Sequence, residues 1–480
     1  MWKTGEQDLF FETLINVRKH ETSFHTPGHG FGKTLKDTIY EHLEIFYQVD
    51  TSISSWYVGD PYKPNDGIVG KLKEKCAKYY GVPHTLFSVN GTSGLNILAV
   101  NAFAGPGDRV LIDRVYAHSS TVAGIVISGA HPCYLLPDFY ERGDFYFGPT
   151  PEQIENALSQ IESIKLVFLT SPTYNGLSTD LKGIASVCQS HGATLVVDQA
   201  HGAHFHFHEE MPPAAEDSDA DIVNMSAHKT LPALSQSSWM HVLAQENIPT
   251  LYQTANSLNL FSTSPNYSLI ASLEVAVEFM RHYGKKRIDE LLELASSIRA
   301  EINKLNNIFL VVPDSVPYDP LRITINTFNL RMSGISARKW LANHYGIIAE
   351  RGSFQHVLFL IHFGMTMEDS KKLIIALREL DKHVGDESLI LSALPHTPEP
   401  ALTPRDAFYH KNKKYVSLDD AIDSVVGETV MAYPPSTPII IAGETMTRDI
   451  AEYLKQLVSL GCKLKGPKYP DLREISIIET

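Results

Sequence analysis

Cysteine is scarce in this 480-residue chain: Cys76, Cys133, Cys188 and Cys462 lie far apart, and no two form a CxxC pair. They read as buried thiols in a reducing compartment rather than as a disulfide framework. No apolar run is long enough to cross a bilayer. The start, Met1-Trp-Lys-Thr-Gly-Glu-Gln-Asp, lacks the basic-then-apolar order of a signal peptide. Positive charge is in deficit, with 41 Lys and Arg against 55 Asp and Glu, a formal −14. Nucleic-acid binding needs a net basic face, so that class is set aside. Internal repeats and low-complexity tracts are also missing. The expectation is a cytoplasmic protein with no membrane or nucleic-acid partner, whose acidic field is compatible with a cationic substrate.

What is present is ordinary globular material, 43% hydrophobic and 20% charged, enough for two to four domains. From about residue 70 to 245, short β-rich runs alternate with helical ones. The strand candidates are Thr85-Leu-Phe-Ser-Val, Arg109-Val-Leu-Ile-Asp, Cys133-Tyr-Leu-Leu, Leu166-Val-Phe-Leu-Thr, Thr194-Leu-Val-Val-Asp, Asp221-Ile-Val-Asn-Met and Ser238-Trp-Met-His-Val. This alternation predicts an α/β fold with a mostly parallel sheet covered by helices on both faces. Residues 268–306 read as long helices. Residues 308–385, with the runs Leu321–Asn326 and Val357–His362, suggest a small α+β domain. The proline-rich stretch from Ala393 to Pro404 reads as a linker or crossing segment. The expected organisation is an N-terminal arm (1–35), a large domain (36–300), a small α+β domain (301–390) and a C-terminal domain (391–480).

Ligands of such sheets bind beyond the carboxyl ends of the strands, and two residues there carry a specific chemistry. Asp198 ends the strand Thr194–Asp198. Lys229, in Asn224-Met-Ser-Ala-His-Lys-Thr-Leu, follows the next strand. An amine can condense with the aldehyde of pyridoxal phosphate (PLP). A carboxylate can hold the pyridine nitrogen protonated, which makes the ring an electron sink. A phosphate cradle precedes them: Asn90-Gly-Thr-Ser-Gly-Leu-Asn opens a helix, where free N–H groups and the dipole favour a dianion. Thr92, Ser93 and Gly94 belong to it, and Ser226 and His228 flank Lys229. Thr173 falls beyond another strand end. His118, in Tyr116-Ala-His-Ser-Ser, is a helix cap placed where an imidazole could stack on the ring. His201 lies near the same edge. His204, His206 and His208 alternate, so a strand would put them on one face. Without a completing carboxylate or cysteine set they read as surface imidazoles beside Glu209-Glu210, and no metal is expected. Glu350, in Glu350-Arg-Gly-Ser-Phe, is the candidate for a substrate cation.

In order along nearly the whole chain come Phe24-His-Thr-Pro-Gly-His, Val89-Asn-Gly-Thr-Ser-Gly, His118-Ser-Ser, Ser171-Pro-Thr-Tyr-Asn-Gly and Val197-Asp-Gln-Ala-His-Gly-Ala-His. Ser226-Ala-His-Lys, Leu234-Ser-Gln-Ser-Ser, Thr403-Pro-Arg-Asp-Ala-Phe and Tyr433-Pro-Pro follow. Together they resemble the bacterial ornithine/lysine/arginine decarboxylases, PLP enzymes with the aspartate-aminotransferase fold, in their short form. The resemblance implies that Lys229 binds the cofactor aldehyde covalently, Asp198 pairs with the pyridinium and His118 stacks on the ring. It also implies that Thr92, Ser93, Gly94, Ser226 and His228 hold the phosphate, while His201 approaches the ring hydroxyl. A second subunit would contribute Ser262 or Thr263, making the protein at least a homodimer. Four departures stand out: Gln199 where the family usually has Glu, Ser119 where it has Lys, Gly30 after Pro27-Gly-His, and Ser353 where an acid is frequent.

The implied reaction is α-decarboxylation of a basic L-amino acid, arginine or lysine before ornithine, giving agmatine, cadaverine or putrescine. The same PLP site could serve an aminotransferase or lyase, with Arg322, Arg331 or Arg351 gripping the α-carboxylate.

Overall fold

The computed structural model describes residues 9–20, 24, 26–29, 31, 33–42, 47, 50–51, 58–143, 145–313, 315–387, 393–396, 400–433 and 437–479. His25, Gly30, Pro434, Pro435 and the middle of the proline-rich stretch, all quoted above, lie outside the described residues.

Seven strands form the main sheet, in the order His84–Ser88, Ser238–Val242, Ile222–Met225, Thr194–Asp198, Ile164–Thr170, Arg109–Asp113, His131–Leu135. Ser238–Val242 alone runs against its neighbours, and the five strands from Ile222–Met225 outward are parallel. Strands such as Leu195-Val-Val and Leu166-Val-Phe-Leu are buried on both faces, which is why they read as unbroken apolar runs rather than as alternating ones. The helices between them are set by local signals. Thr150 and Gln153 form a capping box at Pro151–Gln160, and Asp180 caps Leu181–Ser190. The segment 268–306 is Tyr267–Phe279 and Lys285–Ile302 joined through one π turn at Met280–Gly284. The helix Gly67–Tyr80, which the left-handed Gly81 ends, is not among the segments expected above.

A four-stranded sheet of order Phe309–Leu310, Arg322–Asn326, His356–Leu360, Arg351–Gly352 is packed with helices Gly334–Tyr345 and Met367–Leu380. Beyond residue 400, a two-stranded and a three-stranded sheet carry the amphipathic helix Arg448–Ser459. This last part is pinned to the main sheet. Arg114, just past Arg109–Asp113, donates to the carbonyls of Pro438 and Ile439 and pairs with Glu444 at 3.0 Å, both side chains buried. Removing one partner of such a pair strands a buried charge. Among the described residues no helix is long and apolar enough to cross a membrane.

Candidate active site

The carboxyl ends of the parallel strands open onto a cavity of about 430 Å³, a size suited to a cofactor with substrate. Asn90-Gly-Thr-Ser, after His84–Ser88, forms one wall. The helix Gly91–Phe103 starts here with no side chain capping it, so its dipole and first-turn N–H groups face a prospective anion. Gly91, at φ +65°, makes the turn, and its N–H donates to the carbonyl of Gln236. Thr92 Oγ1 and Ser226 Oγ lie 2.7 Å apart. His228, also in the wall, shares a 2.9 Å hydrogen bond between Nδ1 and the Ser237 carbonyl. Gly94 sits one step behind, where a Cβ would meet Phe261 at 2.9 Å.

Asp198 is buried at the end of its strand. Its Oδ2 accepts from Asn96 Nδ2 at 2.8 Å and its Oδ1 from the Ala200 N–H at 3.0 Å. Asn224 Nδ2 in turn donates to Asn96 Oδ1. Lys229 opens onto the cavity from the short helix Ala227–Thr230. As a whole residue Lys229 is exposed, while its amine end stands on the cavity against His201. Burial pushes the amine below the usual lysine range, against the pull of Asp198, and Arg322 lowers it further. Its Nζ lies 3.1 Å from His201 Nε2. Burial, then Lys229 and Arg322, holds His201 well below the ordinary imidazole range.

His118 caps the helix Ser119–Ser128. Its Nδ1 accepts from the Ser120 N–H, which leaves the proton of a neutral ring on Nε2. Burial brings it down to about 4, the opposing pull of Asp198 notwithstanding.

The structure thus brings together Thr92, Ser93, His118, Asp198, His201, Ser226, His228 and Lys229 around one cavity. Thr173 is buried behind it, its Oγ1 accepting from the Leu177 N–H. Ser262 and Thr263 are exposed and do not line the cavity of their own chain. Glu350 stands behind the wall residue Tyr174, whose hydroxyl donates to Glu350 Oε1. Beside it, Arg351 lies over the Tyr174 ring at 5.6 Å and lines a side cavity of about 90 Å³. The two cavities meet at Tyr116 and Thr437. Arg322 is fully engaged by Asp319, the Tyr174 carbonyl and His201, and Arg331 is exposed. Neither is poised to grip a substrate carboxylate.

Asn96, Tyr174 and Gln236 stand inside motifs quoted above but were given no role there, and Thr437, which arrives from the C-terminal part, was not singled out at all. The three alternating histidines are not on a strand: Phe205–Phe207 is a 3₁₀ turn. His204, His206 and His208 point to three separate carboxylates, Asp319, Glu216 and Asp289. His204 and His208 are also buried rather than at the surface. Two of the four cysteines, Cys133 and Cys462, are only half-buried. The departure at Gln199 has a physical partner. Its Nε2 donates to Glu216 Oε2 at 3.0 Å, and burial pushes Glu216 up to about 7. A second carboxylate at position 199 would face the first. Ser353 Oγ, where an acid is frequent, bonds His356 Nδ1 at 2.8 Å.

The residues present fit PLP: an uncapped helix start with hydroxyls, an oriented buried carboxylate, and an enclosed amine of lowered basicity on one cavity. The comparisons agree. The Orn/Lys/Arg decarboxylase major domain matches residues 9–317, and the C-terminal domain of the same family matches 387–468. The chain is 32% identical to an arginine decarboxylase of Halalkalibacterium halodurans over 100% of its own length and 99% of the relative's. A lysine decarboxylase of Pseudomonas aeruginosa is 24% identical, covering 93% of this chain and 75% of the relative. The Escherichia coli constitutive lysine decarboxylase superposes with TM-score 0.83 at 20% identity, over 98% of this chain and 82% of that one. A Sphingomonas wittichii serine palmitoyltransferase shares the fold at TM-score 0.52 and 15% identity, over 65% and 75%. The chain belongs to the Orn/Lys/Arg decarboxylase family and is a PLP-dependent amino-acid decarboxylase.

Proposed function

We propose that the substrate is a basic L-amino acid, arginine before lysine and ornithine, and that the products are the corresponding amine and CO2. The observation that carries the reaction is the placement of Asp198 and Lys229 on one enclosed cavity beside an uncapped helix start. The choice of arginine rests on the full-length similarity to proteins named arginine decarboxylase. When bound, PLP supplies an electron sink for the pair left as the α-carboxylate departs.

The chain's own groups do the rest. Thr92, Ser93, Gly94, Ser226 and His228 hold the phosphate, with Thr173 supporting the wall from behind. Asp198, fixed by Asn96 and the Ala200 N–H, keeps the pyridine nitrogen protonated. His118 covers the ring face. Lys229 Nζ or His118 Nε2 then delivers the proton to the α-carbon, both standing on the same cavity. The side cavity meeting the main one at Tyr116 and Thr437 takes the substrate side chain. Asn175 Oδ1, buried in that wall with no hydrogen-bond partner, accepts from its distal donors. Arg351 lines the same space, so a cationic head needs the offsetting charge of Glu350. Asp198 is the one carboxylate among the described residues lining the two cavities.

We further propose a cytoplasmic homodimer or higher assembly in which Ser262 or Thr263 of one subunit completes the phosphate site of the other. Their exposure in the single chain leaves them available for that. Mixing Lys229→Ala with a Ser262→Ala/Thr263→Ala variant and reassembling should partly restore activity. An active monomer would rule the shared site out. The substrate is tested by incubating the holoenzyme with arginine, lysine and ornithine and identifying the amine formed. Agmatine as the main product is expected. Cadaverine or putrescine in excess would overturn the choice of arginine.

A further inference from the structure

Arg322 reaches the reacting lysine through one imidazole. Its guanidinium is buried in a sleeve: Nε pairs with Asp319 Oδ2 at 3.2 Å and Nη1 donates to the Tyr174 carbonyl at 2.8 Å. Gly176, at φ +94°, leaves room for the side chain, since a Cβ there would meet Arg322 Cδ at 2.5 Å. The remaining nitrogen, Nη2, lies 3.0 Å from His201 Nδ1 and 3.3 Å from the His201 carbonyl. Tyr174 packs edge-on against the His201 ring at 4.9 Å, which fixes its plane.

An arginine has donors only, so His201 Nδ1 must be the acceptor. A ring whose Nδ1 accepts is neutral and carries its proton on Nε2. Nε2 faces Lys229 Nζ at 3.1 Å. An Nε2–H can donate only to a lone pair, which an ammonium lacks and a free amine has. Donor and acceptor counting along the row Asp319, Arg322, His201, Lys229 thus leaves a single consistent protonation pattern.

We propose that Arg322 is a positioning residue that locks His201 as its Nε2–H tautomer and so keeps the Lys229 side chain a neutral, nucleophilic amine in the cofactor-free protein, ready to combine with the cofactor aldehyde. The proposal rests on the reading of Lys229 as the cofactor-binding lysine. The charged and titratable groups around Lys229 and His201 are Asp198, Glu350, Arg322, His118 and His228. The lowered basicity of Lys229 agrees with the row, and Arg322's charge and its hydrogen bond to His201 both act in that direction.

The test separates them. The full-length protein, stripped of cofactor, is pulsed with formaldehyde and cyanoborohydride across a pH series, and methylation of Lys229 is read by peptide mass spectrometry. Arg322→Met should slow labelling at neutral pH by about tenfold, the worth of a charge-assisted hydrogen bond. His201→Leu leaves the Arg322 charge and removes the relay; it should slow labelling similarly. His201→Gln, with one acceptor and one donor in the same order, should label at close to the parent rate. If His201→Leu matches the parent, the relay does not act on Lys229 and the proposal fails, whether or not Arg322→Met folds. Borohydride mapping of the parent holoenzyme tests the underlying reading separately, because it reports where the cofactor is attached and not how basic Lys229 is.

Discussion

Asn96 Nδ2 donates to Asp198 Oδ2 at 2.8 Å, from the interior of the very helix whose first turn is the proposed phosphate cradle. On that reading one helix fixes both ends of the cofactor site. Asn96→Ala should remove a hydrogen bond to a carboxylate, worth about 1.5–3 kcal/mol, and lower kcat by roughly tenfold or more. The cofactor absorbance should persist, because the cradle is untouched. An unchanged kcat would mean that the Ala200 N–H alone orients Asp198.

Glu350 and Arg351 both meet Tyr174, one through its hydroxyl and the other over its ring, beside the proposed substrate space. In Glu350→Gln the positive charge of Arg351 stands uncompensated. Discrimination in favour of basic over neutral amino acids should shrink by about tenfold, from loss of a charge-assisted contact of roughly 1.5–3 kcal/mol. The check is kcat/KM for arginine, lysine, ornithine and a neutral analogue. Unchanged values for all of them would reduce Glu350 to a brace for Tyr174.

His241 is buried in the antiparallel strand away from the cavity, bonded to Thr85 Oγ1 at 2.9 Å, and burial brings it down to about 3. The unfolded chain takes up this proton near pH 6.5, whereas the folded chain does not until far lower. The stability that His241 contributes as a neutral ring is therefore complete above pH 6.5 and lost as the pH falls below it, at about 1.4 kcal/mol per unit. Two buried carboxyls with raised values, Asp113 and Glu216, both pushed up to about 7, act in the opposite sense. The whole-protein slope is thus a difference, and a variant isolates one part of it. Urea midpoints for His241→Gln should fall less steeply between pH 6.5 and 5 than those of the parent. Parallel curves would show that the imidazole is protonated in the folded state.

The parts of the site legible in the sequence are those that stand at strand ends. Arg109–Asp113, Thr194–Asp198 and Ser238–Val242 appear where the apolar runs put them, and Asp198, His118 and Lys229 follow from that placement. Direction was less legible: an apolar run shows burial but not which way a strand points, so the reversed Ser238–Val242 did not show. Asn96 is a polar residue in the middle of an apolar helix, and its partners are 102 and 128 residues away. Arg322 meets His201 across 121 residues. Local pattern carries no information about such contacts, because packing of a helix on the large sheet makes the first set and the meeting of the small sheet with the large one makes the second. The histidine triplet misled for the opposite reason. Its spacing suited a strand, but a 3₁₀ turn sends each ring to its own carboxylate.

The central claim is that Lys229 carries the cofactor on a cavity it shares with Asp198. Borohydride reduction of the holoenzyme, followed by proteolysis and mass spectrometry, tests it most directly. A phosphopyridoxyl group on Lys229, and its absence in Lys229→Ala, is the predicted result. The same group on any other lysine of the parent would contradict the account.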